Sequence, residues 1–292
     1  MGVQRWPRRG RPQGQPTRGK TAQNRLRRVD LFFAWYAANL LRRNDGACAD
    51  AWLVDLGYGA EPFTTLEMAQ RLRRLNPRLP VLGVEIDADR VAAALPHADD
   101  LTHFRRGGFN LPLARPPDGR PETVRAIRAF NVLRQYDEAE VTGAYAELAH
   151  GVLPGGLLVE GTSDPLGRIW VANVLRRAAA PAWEPEALVF STNFHGGFDP
   201  AMFQAVLPKN YIHHMQPGEP IWTLMEAWKQ AAQRCVAERA WGLRAWFVAS
   251  AHALAAEGWP VRIHGRWQRQ GFLIVDQHPL PKMAIDSEDK RA

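Results

Sequence analysis

Apolar residues in the first third of the chain follow two different periods. One set recurs at three- and four-residue steps: Leu26, Val29, Phe33, Tyr36 and Leu40. This spacing predicts an amphipathic helix that ends near residues 44–46. Residues 51–56 (AWLVDL) and 81–86 (VLGVEI) are instead short, almost continuously apolar runs, typical of parallel strands that are buried on both faces.

Helices are predicted between and after these two strands. The first begins at Glu61-Pro62, where proline suits the first turn of a helix, and runs to about Leu75. The second lies near residues 88–95. The order of strand, glycine turn, helix, strand and helix predicts a right-handed βαβ unit.

Later apolar runs extend the same alternation. Strands are predicted at residues 102–105, 124–131 and 157–160, with a helix from about Glu138 to Leu148. The fold class is therefore α/β, with a Rossmann-like, doubly wound, mostly parallel sheet of the seven-stranded type and helices on both faces.

The C-terminal part of the chain is expected to be an elaboration of this sheet. Residues 168–177 and 186–192 have strand patterns, antiparallel additions being one option, and 272–275 (FLIV) is a final strand. A helical stretch covers roughly residues 220–256. The aromatic and proline-rich segment 198–222 could form a substrate wall or simply pack against the C-terminal helix.

The positive charge of the protein is concentrated at its N-terminus. The formal net charge is +7, yet residues 1–28 hold nine Arg or Lys and no acid. The other 28 basic residues face 30 acidic ones, so the chain from residue 29 onward carries about −2. Residues 1–24 are predicted to be a basic, disordered arm, which either binds phosphates in a salt-dependent manner or only aids solubility.

Several classes of protein are not favoured by the composition. The apolar run from Leu31 to Leu41 is too short to span a bilayer, and the first residues lack the apolar core of a secretory signal, so a cytoplasmic protein is expected. Cys48 and Cys235 lie far apart without metal-ligand spacing. We therefore expect neither a disulfide nor a metal site.

Candidate chemistry lies where the first two strands end. Asp55-Leu56-Gly57-Tyr58-Gly59 closes the first strand, and Glu85 closes the second. Glycines allow the backbone to approach a ligand closely, and an acid at the neighbouring strand end can accept both hydroxyls of a ribose. The pattern predicts a site of the adenosine type at the carboxyl edge of a parallel sheet.

Two kinds of ligand fit such an edge. A dinucleotide site has the spacing GxGxxG, but its last position, counted from Gly57, is Pro62. A sulfonium nucleoside has no phosphate and needs only the DxGxG pattern. The sequence therefore favours S-adenosylmethionine over NAD.

Residues 51–164 resemble the class I S-adenosylmethionine-dependent methyltransferases. The resemblance is carried by five motifs that occur in the family's order: VDLGYG, VLGVEID, RRGGFNLPL, NVLRQY and LPGGLLVEGT. The resemblance implies a ligand-binding domain at residues 25–165, a C-terminal region at 166–280 that completes the sheet and shapes the substrate site, and a flexible tail at 281–292. It also implies cofactor contacts by a set of residues near the strand ends: Asp55, Gly57, Tyr58, Gly59, Glu61, Glu85, Ile86, Gly108, Phe109 and Asn131.

Two of these residues depart from the family pattern. Glu61 stands where the family often has a third glycine, so its carboxylate could receive the cofactor's ammonium group or cap the following helix. Gly108 replaces an aspartate that commonly contacts the adenine amino group. Asn110 or a backbone carbonyl would have to take that role.

The methyl acceptor is not defined by a motif. The fourth-strand segment Asn131-Val132-Leu133-Arg134 lacks the (Asp/Asn)-Pro-Pro-(Tyr/Phe) loop of base-amino methyltransferases. We expect an oxygen or nitrogen acceptor on a small molecule, with RNA methylation through the N-terminal arm or a non-catalytic S-adenosylmethionine-binding module as alternatives. Candidate acid–base or substrate contacts are Asp164, His195, His213 and His214.

Overall fold

Strands and helices alternate through the first half of the chain in the computed structural model, which describes residues 11–115 and 119–276. The strands are β1 (Trp52–Leu56), β2 (Val81–Glu85), β3 (Thr102–Arg106), β4 (Val124–Phe130), β5 (Val152–Ser163), β6 (Ile169–Arg177), β7 (Trp183–Thr192) and β8 (Phe272–Asp276). The helices are α1 (Arg27–Tyr36), α2 (Ala38–Arg42), α3 (Phe63–Leu72), α4 (Ala88–Ala94), α5 (Glu138–Ala149), α6 (Lys209–Ile212), α7 (Pro220–Arg234), α8 (Leu243–Ala256) and α9 (Gly265–Arg269). Each strand predicted from an apolar run is present; the largest difference is β5, which begins at Val152 rather than Leu157.

The sheet within the described residues has eight strands in the order β3-β2-β1-β4-β5-β6-β7-β8. β1 pairs in parallel with β2 and β4, β2 pairs in parallel with β3, and β7 pairs antiparallel with β8. The chain moves outward from β1 to β3 and then returns to the other side of β1 with β4, which is the reversal of order in a doubly wound sheet. The α/β class and the doubly wound arrangement are confirmed, with eight strands instead of the seven expected.

The chain forms two compact units that interleave along the sequence. Unit 1 comprises Met1–Val132, Gly143–Val159 and Arg176–Trp183, and unit 2 comprises Leu133–Thr142, Glu160–Leu175 and Glu184–Ala292. The linear boundary expected at residue 165 differs from this division, because β5 and β6 each contribute to both units. The predicted flexible tail at 281–292 lies outside the described residues.

Two arginines that interrupt the apolar pattern of β4 are completely buried in unit 1. Arg125 donates from Nε to the carbonyl of Ala51 (2.8 Å) and from Nη1 to the carbonyl of Arg43 (2.8 Å). Burial lowers the pKa of Arg125. Its guanidinium satisfies carbonyl groups in the turn between α2 and β1, and the second arginine, Arg128, belongs to the site described below.

The N-terminal arm is ordered where the structure describes it. The main-chain N–H of Asn24 donates to both carboxylate oxygens of Glu67 (2.8 and 3.0 Å), and Arg71 donates to the side-chain oxygen of Asn24 (2.6 Å). Within the part of the arm that the structure describes, Asn24 thus has defined contacts with α3. The segment is held mainly through its main-chain groups, and composition carries no information about such contacts.

Aromatic side chains form the core of unit 2. Trp228 on α7 stacks on Phe203 (ring centroids 5.3 Å apart) and contacts Phe198 (5.9 Å), while its indole N–H donates to Ser250. Phe198 and Phe203 belong to the segment 198–222, so the structure supports core packing for that part of the segment. The helical stretch expected at residues 220–256 is two helices, α7 and α8, with Gly242 in a left-handed conformation (φ +104°) directly before α8.

None of the helices described is both long enough and apolar enough to cross a bilayer.

Candidate functional site

A glycine bend connects β1 to α3 at the carboxyl edge of the sheet in unit 1. Gly57 and Gly59 have φ values of +70° and +92°, in the left-handed region that glycine adopts without strain. The N–H of Gly57 donates to the carbonyl of Val84 on β2 (2.7 Å). A Cβ atom at Gly57 would lie 2.7 Å from Cγ2 of Val132, so the bend has no room for a side chain there.

Glu85, the last residue of β2, joins this bend to the neighbouring strand. Its side chain is buried, and Oε2 accepts a hydrogen bond from the N–H of Gly59 (3.0 Å). Oε1 accepts from the N–H groups of Ile86 (2.9 Å) and Asp87 (3.3 Å). A carboxylate oxygen has two lone pairs. Oε2 therefore retains the capacity to accept a ligand hydroxyl beside the glycine bend.

Asp55, next to the last residue of β1, is bound on all sides by groups of the protein itself. Its carboxylate is buried, and Oδ2 accepts from the hydroxyls of Thr64 (2.9 Å) and Thr65 (2.8 Å) at the start of α3. The register of β1 and β4 pairs Asp55 with Arg128, which donates from Nε to Oδ1 (3.0 Å) and lies 2.7 Å from Oδ2. Both carboxylates are buried, but that of Asp55 is bound by Arg128 and two threonines, whereas that of Glu85 is bound by main-chain N–H groups. The joint contact of Asp55 and Glu85 with a ligand stays a prediction.

Arg128 connects Asp55 to a second buried carboxylate, Asp30 on α1, which pairs with Nη1 of Arg128. Arg71 on α3 donates to the other oxygen of Asp30 (2.6 Å). Burial raises the pKa of Asp30, and the two arginines oppose this effect. Burial also disfavours the charged form of Arg128, but the carboxylates of Asp55 and Asp30 outweigh it, so the pKa of Arg128 is raised. Sequence reasoning missed this network; the signal was an arginine inside an apolar strand.

The turn after β3 provides the third part of the edge. Its Gly107 N–H donates to the carbonyl of Glu85 (3.0 Å), so the turn lies directly beside the buried carboxylate. The N–H of Phe109 donates to the carbonyl of Gln13 (3.0 Å), and Oδ1 of Asn110 accepts from the N–H of Gln13 (2.8 Å). The predicted residues Gly108 and Phe109 thus lie at the same edge as Glu85.

Residues 11–24, which we call the N-terminal strap, run along this edge. The carbonyl of Gly19 accepts from the N–H of Ala60 at the glycine bend (3.0 Å). The carbonyl of Thr17 accepts from Nη2 of Arg90 (3.0 Å), whose Nη1 is 3.7 Å from Glu85. The strap therefore contacts the glycine bend, the neighbourhood of Glu85 and the turn after β3.

The other predicted cofactor residues lie in different surroundings. Tyr58 is buried edge-on against Phe104 (ring centroids 5.5 Å apart), and burial raises the pKa of its hydroxyl. Its ring therefore packs in the core, and its contact with a cofactor stays a prediction. Ile86 is half-buried, and Asn131 directly follows β4 with a left-handed φ of +60°.

Glu61 is exposed and does not cap the following helix. Pro62 is the N-cap residue of α3, and that N-cap has no side-chain hydrogen bond. The capping role considered for Glu61 is therefore not observed, and its contact with a ligand ammonium group stays a prediction.

The candidate acid–base residues all belong to unit 2. Asp164 accepts from the N–H groups of Arg168 (2.6 Å) and Ile169 (3.1 Å), so its carboxylate stabilises the turn between β5 and β6. His195 and His213 are exposed.

His214 is held between two carboxylates. Its Nε2 lies 2.7 Å from Oε1 of Glu138, and its Nδ1 lies 3.3 Å from Oε2 of Glu219. The hydrogen bond with Glu138, together with Glu219, raises the pKa of His214. This ion pair gives His214 a structural role in unit 2.

The groups at the edge of unit 1 match the chemistry of a nucleoside. A ribose offers hydroxyls that Glu85 can accept, and an adenine edge offers an amino donor beside a ring-nitrogen acceptor. The N–H of Phe109 and Oδ1 of Asn110 are a donor and an acceptor of this kind. The donor set therefore fits an adenosine-type ligand, although the N-terminal strap uses part of it. Among the residues described, no group of three or more His, Cys, Asp or Glu side chains could hold a metal ion.

No family model matches the sequence, and no curated protein matches it either. Solved structures to which the chain is similar include human N-acetylserotonin methyltransferase in complex with S-adenosylmethionine (16% identity, TM-score 0.29) and magnesium protoporphyrin IX methyltransferase from Synechocystis PCC 6803 with bound S-adenosylhomocysteine (17%, 0.33). Another is described as a pericyclic reaction enzyme (14%, 0.29).

These likenesses cover 49%, 47% and 39% of this chain. The chain spans 39%, 55% and 27% of the respective structures, less than two thirds of each. Similarity at this level does not define an activity.

Proposed function

We propose that the protein is a class I S-adenosylmethionine-dependent methyltransferase that acts on an oxygen or nitrogen atom of a small molecule. The proposal depends on one observation: three strand ends of unit 1 bring a glycine bend, the buried carboxylate of Glu85 and the Phe109–Asn110 turn to one edge of the sheet. Each group is complementary to a different part of a nucleoside. The five ordered motifs of residues 51–164 support the same family.

The residues of this edge would bind and orient the cofactor. Glu85 would accept the ribose hydroxyls, the N–H of Phe109 and Oδ1 of Asn110 would bind the adenine edge, and the bend at Gly57 and Gly59 would leave room for the methionine part. S-adenosylmethionine supplies a methyl group on a positively charged sulfur. Methyl transfer from it depends chiefly on holding the acceptor close and in line, so a general base is not required by this proposal.

A dinucleotide is a poorer fit for the same edge. Pro62 is the N-cap of α3, so this position offers no N–H to a pyrophosphate. Glu85 and the Phe109–Asn110 turn are complementary to the ribose and the adenine of a ligand, and neither contact involves a phosphate group.

A small-molecule acceptor is favoured by the charge distribution. The chain from residue 29 onward is close to neutral, whereas a nucleic-acid-binding surface generally has an excess of Arg and Lys. The basic residues that favour RNA are concentrated in the N-terminal arm, where Arg18 and Lys20 are exposed.

Calorimetric titration with S-adenosylmethionine and S-adenosylhomocysteine tests the cofactor. We expect saturable binding by the wild-type chain, about tenfold or more weaker in Glu85→Gln because a charged acceptor of the ribose hydroxyls is lost. Asp89→Asn is the matched control: it also neutralises an acid, but on the exposed first turn of α4. Its binding should equal that of the wild type.

Two results would refute the cofactor assignment. One is the absence of saturable binding both to these three proteins and to Gln13→Pro, a variant in which the N-terminal strap is weakened, and the other is equal binding by Glu85→Gln and the wild type. Incubation with methyl-labelled cofactor and fractionated cell extract then tests the acceptor. Label in the small-molecule fraction supports the proposal, label in RNA supports the alternative substrate, and binding without any transfer supports a non-catalytic module.

A further inference from the structure

We propose that the N-terminal strap is an internal competitor of the nucleoside: it fills the ligand edge of unit 1 and has to leave before a nucleoside can enter. This inference rests on the proposed function, because it names the regulation of the same site.

The main chain of Gln13 reproduces the hydrogen-bonding pattern of an adenine edge. Its carbonyl accepts from the N–H of Phe109 (3.0 Å), as an adenine ring nitrogen would, and its N–H donates to Oδ1 of Asn110 (2.8 Å), as an adenine amino group would. The side-chain amide of Asn110 also donates to the carbonyl of Arg11 (3.2 Å). A donor or acceptor that is already paired cannot bind a ligand at the same time.

The next residues of the strap cover the glycine bend. The carbonyl of Gly19 takes the N–H of Ala60, and Gly19 itself is buried with a φ of +71°. A Cβ atom at Gly19 would lie 2.6 Å from Nη2 of Arg90, so a side chain there would push against the guanidinium. Arg90 in turn donates to the carbonyl of Thr17 and lies beside Glu85. The path of the strap over the bend therefore depends on a glycine at position 19.

Gly108 makes room for Gln13. An ideal Cβ atom at Gly108 would lie 1.9 Å from the carbonyl oxygen of Gln13, a distance that no side chain tolerates. The family pattern commonly has an aspartate at this position. Glycine at position 108, in place of that aspartate, therefore leaves the space in which the strap occupies the edge.

The strap is suited to reversible attachment. Most of its side chains are exposed, including those of Gln13, Arg18 and Lys20. Its hydrogen bonds with the edge use mainly main-chain groups of the strap, with the hydroxyl of Thr17, which accepts from Nη1 of Arg90 (3.3 Å), as a side-chain contact. We call the form with the strap detached the open form. If a ligand binds only this form, its apparent dissociation constant equals its intrinsic dissociation constant divided by the fraction of protein that is open. Weakening the strap should therefore tighten nucleoside binding without changing any residue that touches the nucleoside.

Two substitutions at Gln13 in the full-length chain test this competition. Gln13→Pro removes the N–H that donates to Asn110, whereas Gln13→Ala keeps both main-chain groups and removes only an exposed side chain. We expect Gln13→Pro to bind S-adenosylhomocysteine about tenfold more tightly than the wild type and Gln13→Ala to bind equally. The amide of Phe109 should exchange with solvent faster in Gln13→Pro than in Gln13→Ala.

Gly108→Asp provides a second, independent variant. Its Cβ atom closes the position of the Gln13 carbonyl, and its carboxylate restores the family's adenine contact, so binding should again tighten. Gly143→Ala, a glycine of α5 with no atom within 4 Å of the added Cβ, controls for the substitution of glycine itself.

The outcomes separate the competition from the cofactor assignment. If the wild type binds and Gln13→Pro binds equally, the strap does not compete; if Gln13→Pro binds more weakly, the strap holds the ligand in place. Either result overturns this inference and leaves the proposed function standing. If only Gln13→Pro and Gly108→Asp bind, the inference is supported. If none of the proteins binds, both proposals fail.

Discussion

Asp55 illustrates how a residue in a recognisable motif can have a structural role. Its carboxylate is bound by Arg128, Thr64 and Thr65 and has little exposure to solvent. Glu85, the acid one strand away, keeps acceptor capacity at the sheet edge because its partners are main-chain N–H groups. The partners of each carboxylate, and not its motif position, determine which acid is available to a ligand.

Removing Asp55 should destabilise the protein. Asp55→Ala leaves the buried guanidinium of Arg128 with one carboxylate fewer, and breaking a buried ion pair costs about 3–5 kcal/mol of unfolding free energy. Urea denaturation followed by circular dichroism measures the loss. Asp45→Ala, which removes the partner of Arg43 in an exposed ion pair, should unfold like the wild type. Equal stability of Asp55→Ala and the wild type would contradict a structural role for the network.

His214 should make the stability of the protein depend on pH. Because Glu138 and Glu219 raise its pKa above the usual 6.5, the folded protein binds this proton more tightly than the unfolded chain does. The resulting stabilisation is full below pH 6.5 and is lost as the pH rises through the folded-state pKa. Since the side chain is 38% exposed, solvent screening limits the effect to less than about 1 kcal/mol.

The dependence on His214 can be isolated by substitution. His214→Gln should flatten the decrease in unfolding free energy above pH 6.5, as measured by urea titrations at several pH values. His195→Gln, at an exposed histidine, should retain the wild-type profile. A wild-type profile in His214→Gln would exclude this ion pair as the cause.

At the scale of elements, the connection from β1 to α3 explains why the main chain of the strap, or a ligand in its place, can approach the edge of the sheet closely. Gly57 and Gly59 both have left-handed conformations, which turn the chain sharply after the last buried residue of β1. The turn brings the N–H of Gly59 to Glu85. A strand ending in ordinary residues would not place that N–H beside the carboxylate at low cost.

Gly57→Ala should therefore be costly. The positive φ and the contact of 2.7 Å between the added Cβ atom and Val132 together predict a loss of about 1–3 kcal/mol in unfolding free energy. Gly143→Ala in α5 meets no neighbouring atom and gains helix propensity, so its stability should be equal or up to about 1 kcal/mol higher. Comparison of the two thermal unfolding curves tests this difference, and identical curves would mean that the bend relaxes without strain.

At the scale of the whole molecule, ligand binding should be visible as a change in thermal stability. A ligand that binds only the folded chain stabilises it by mass action, by about 2.7 kcal/mol at a concentration one hundred times its dissociation constant. We expect S-adenosylhomocysteine to raise the melting temperature of the wild type and to have a smaller effect on Glu85→Gln at the same concentration. Differential scanning fluorimetry measures both. A shift of equal size in the two proteins would place the ligand away from Glu85.

Sequence periodicity predicted most of the fold because each element depends on local patterns. The runs AWLVDL and VLGVEI became β1 and β2 within one residue at each end, and the segment 138–148 became α5. The common location of the strand ends was then predicted from the topology, since parallel strands place their carboxyl ends at one edge of the sheet. In the structure the N–H of Gly59 donates to the carboxylate of Glu85, and Gly107, next to Gly108, donates to the main-chain carbonyl of Glu85.

What the sequence determined by itself was the α/β alternation, the glycine bend and the neighbouring Glu85, because these depend on hydrophobic period and on conformations that only certain residues adopt. Only the tertiary structure decided that Arg128 pairs with Asp55 and that Gln13 lies on the Phe109–Asn110 turn. Both contacts join residues more than seventy positions apart in the chain. The first depends on strand register and the second on main-chain groups that every residue possesses, so neither leaves a pattern along the sequence.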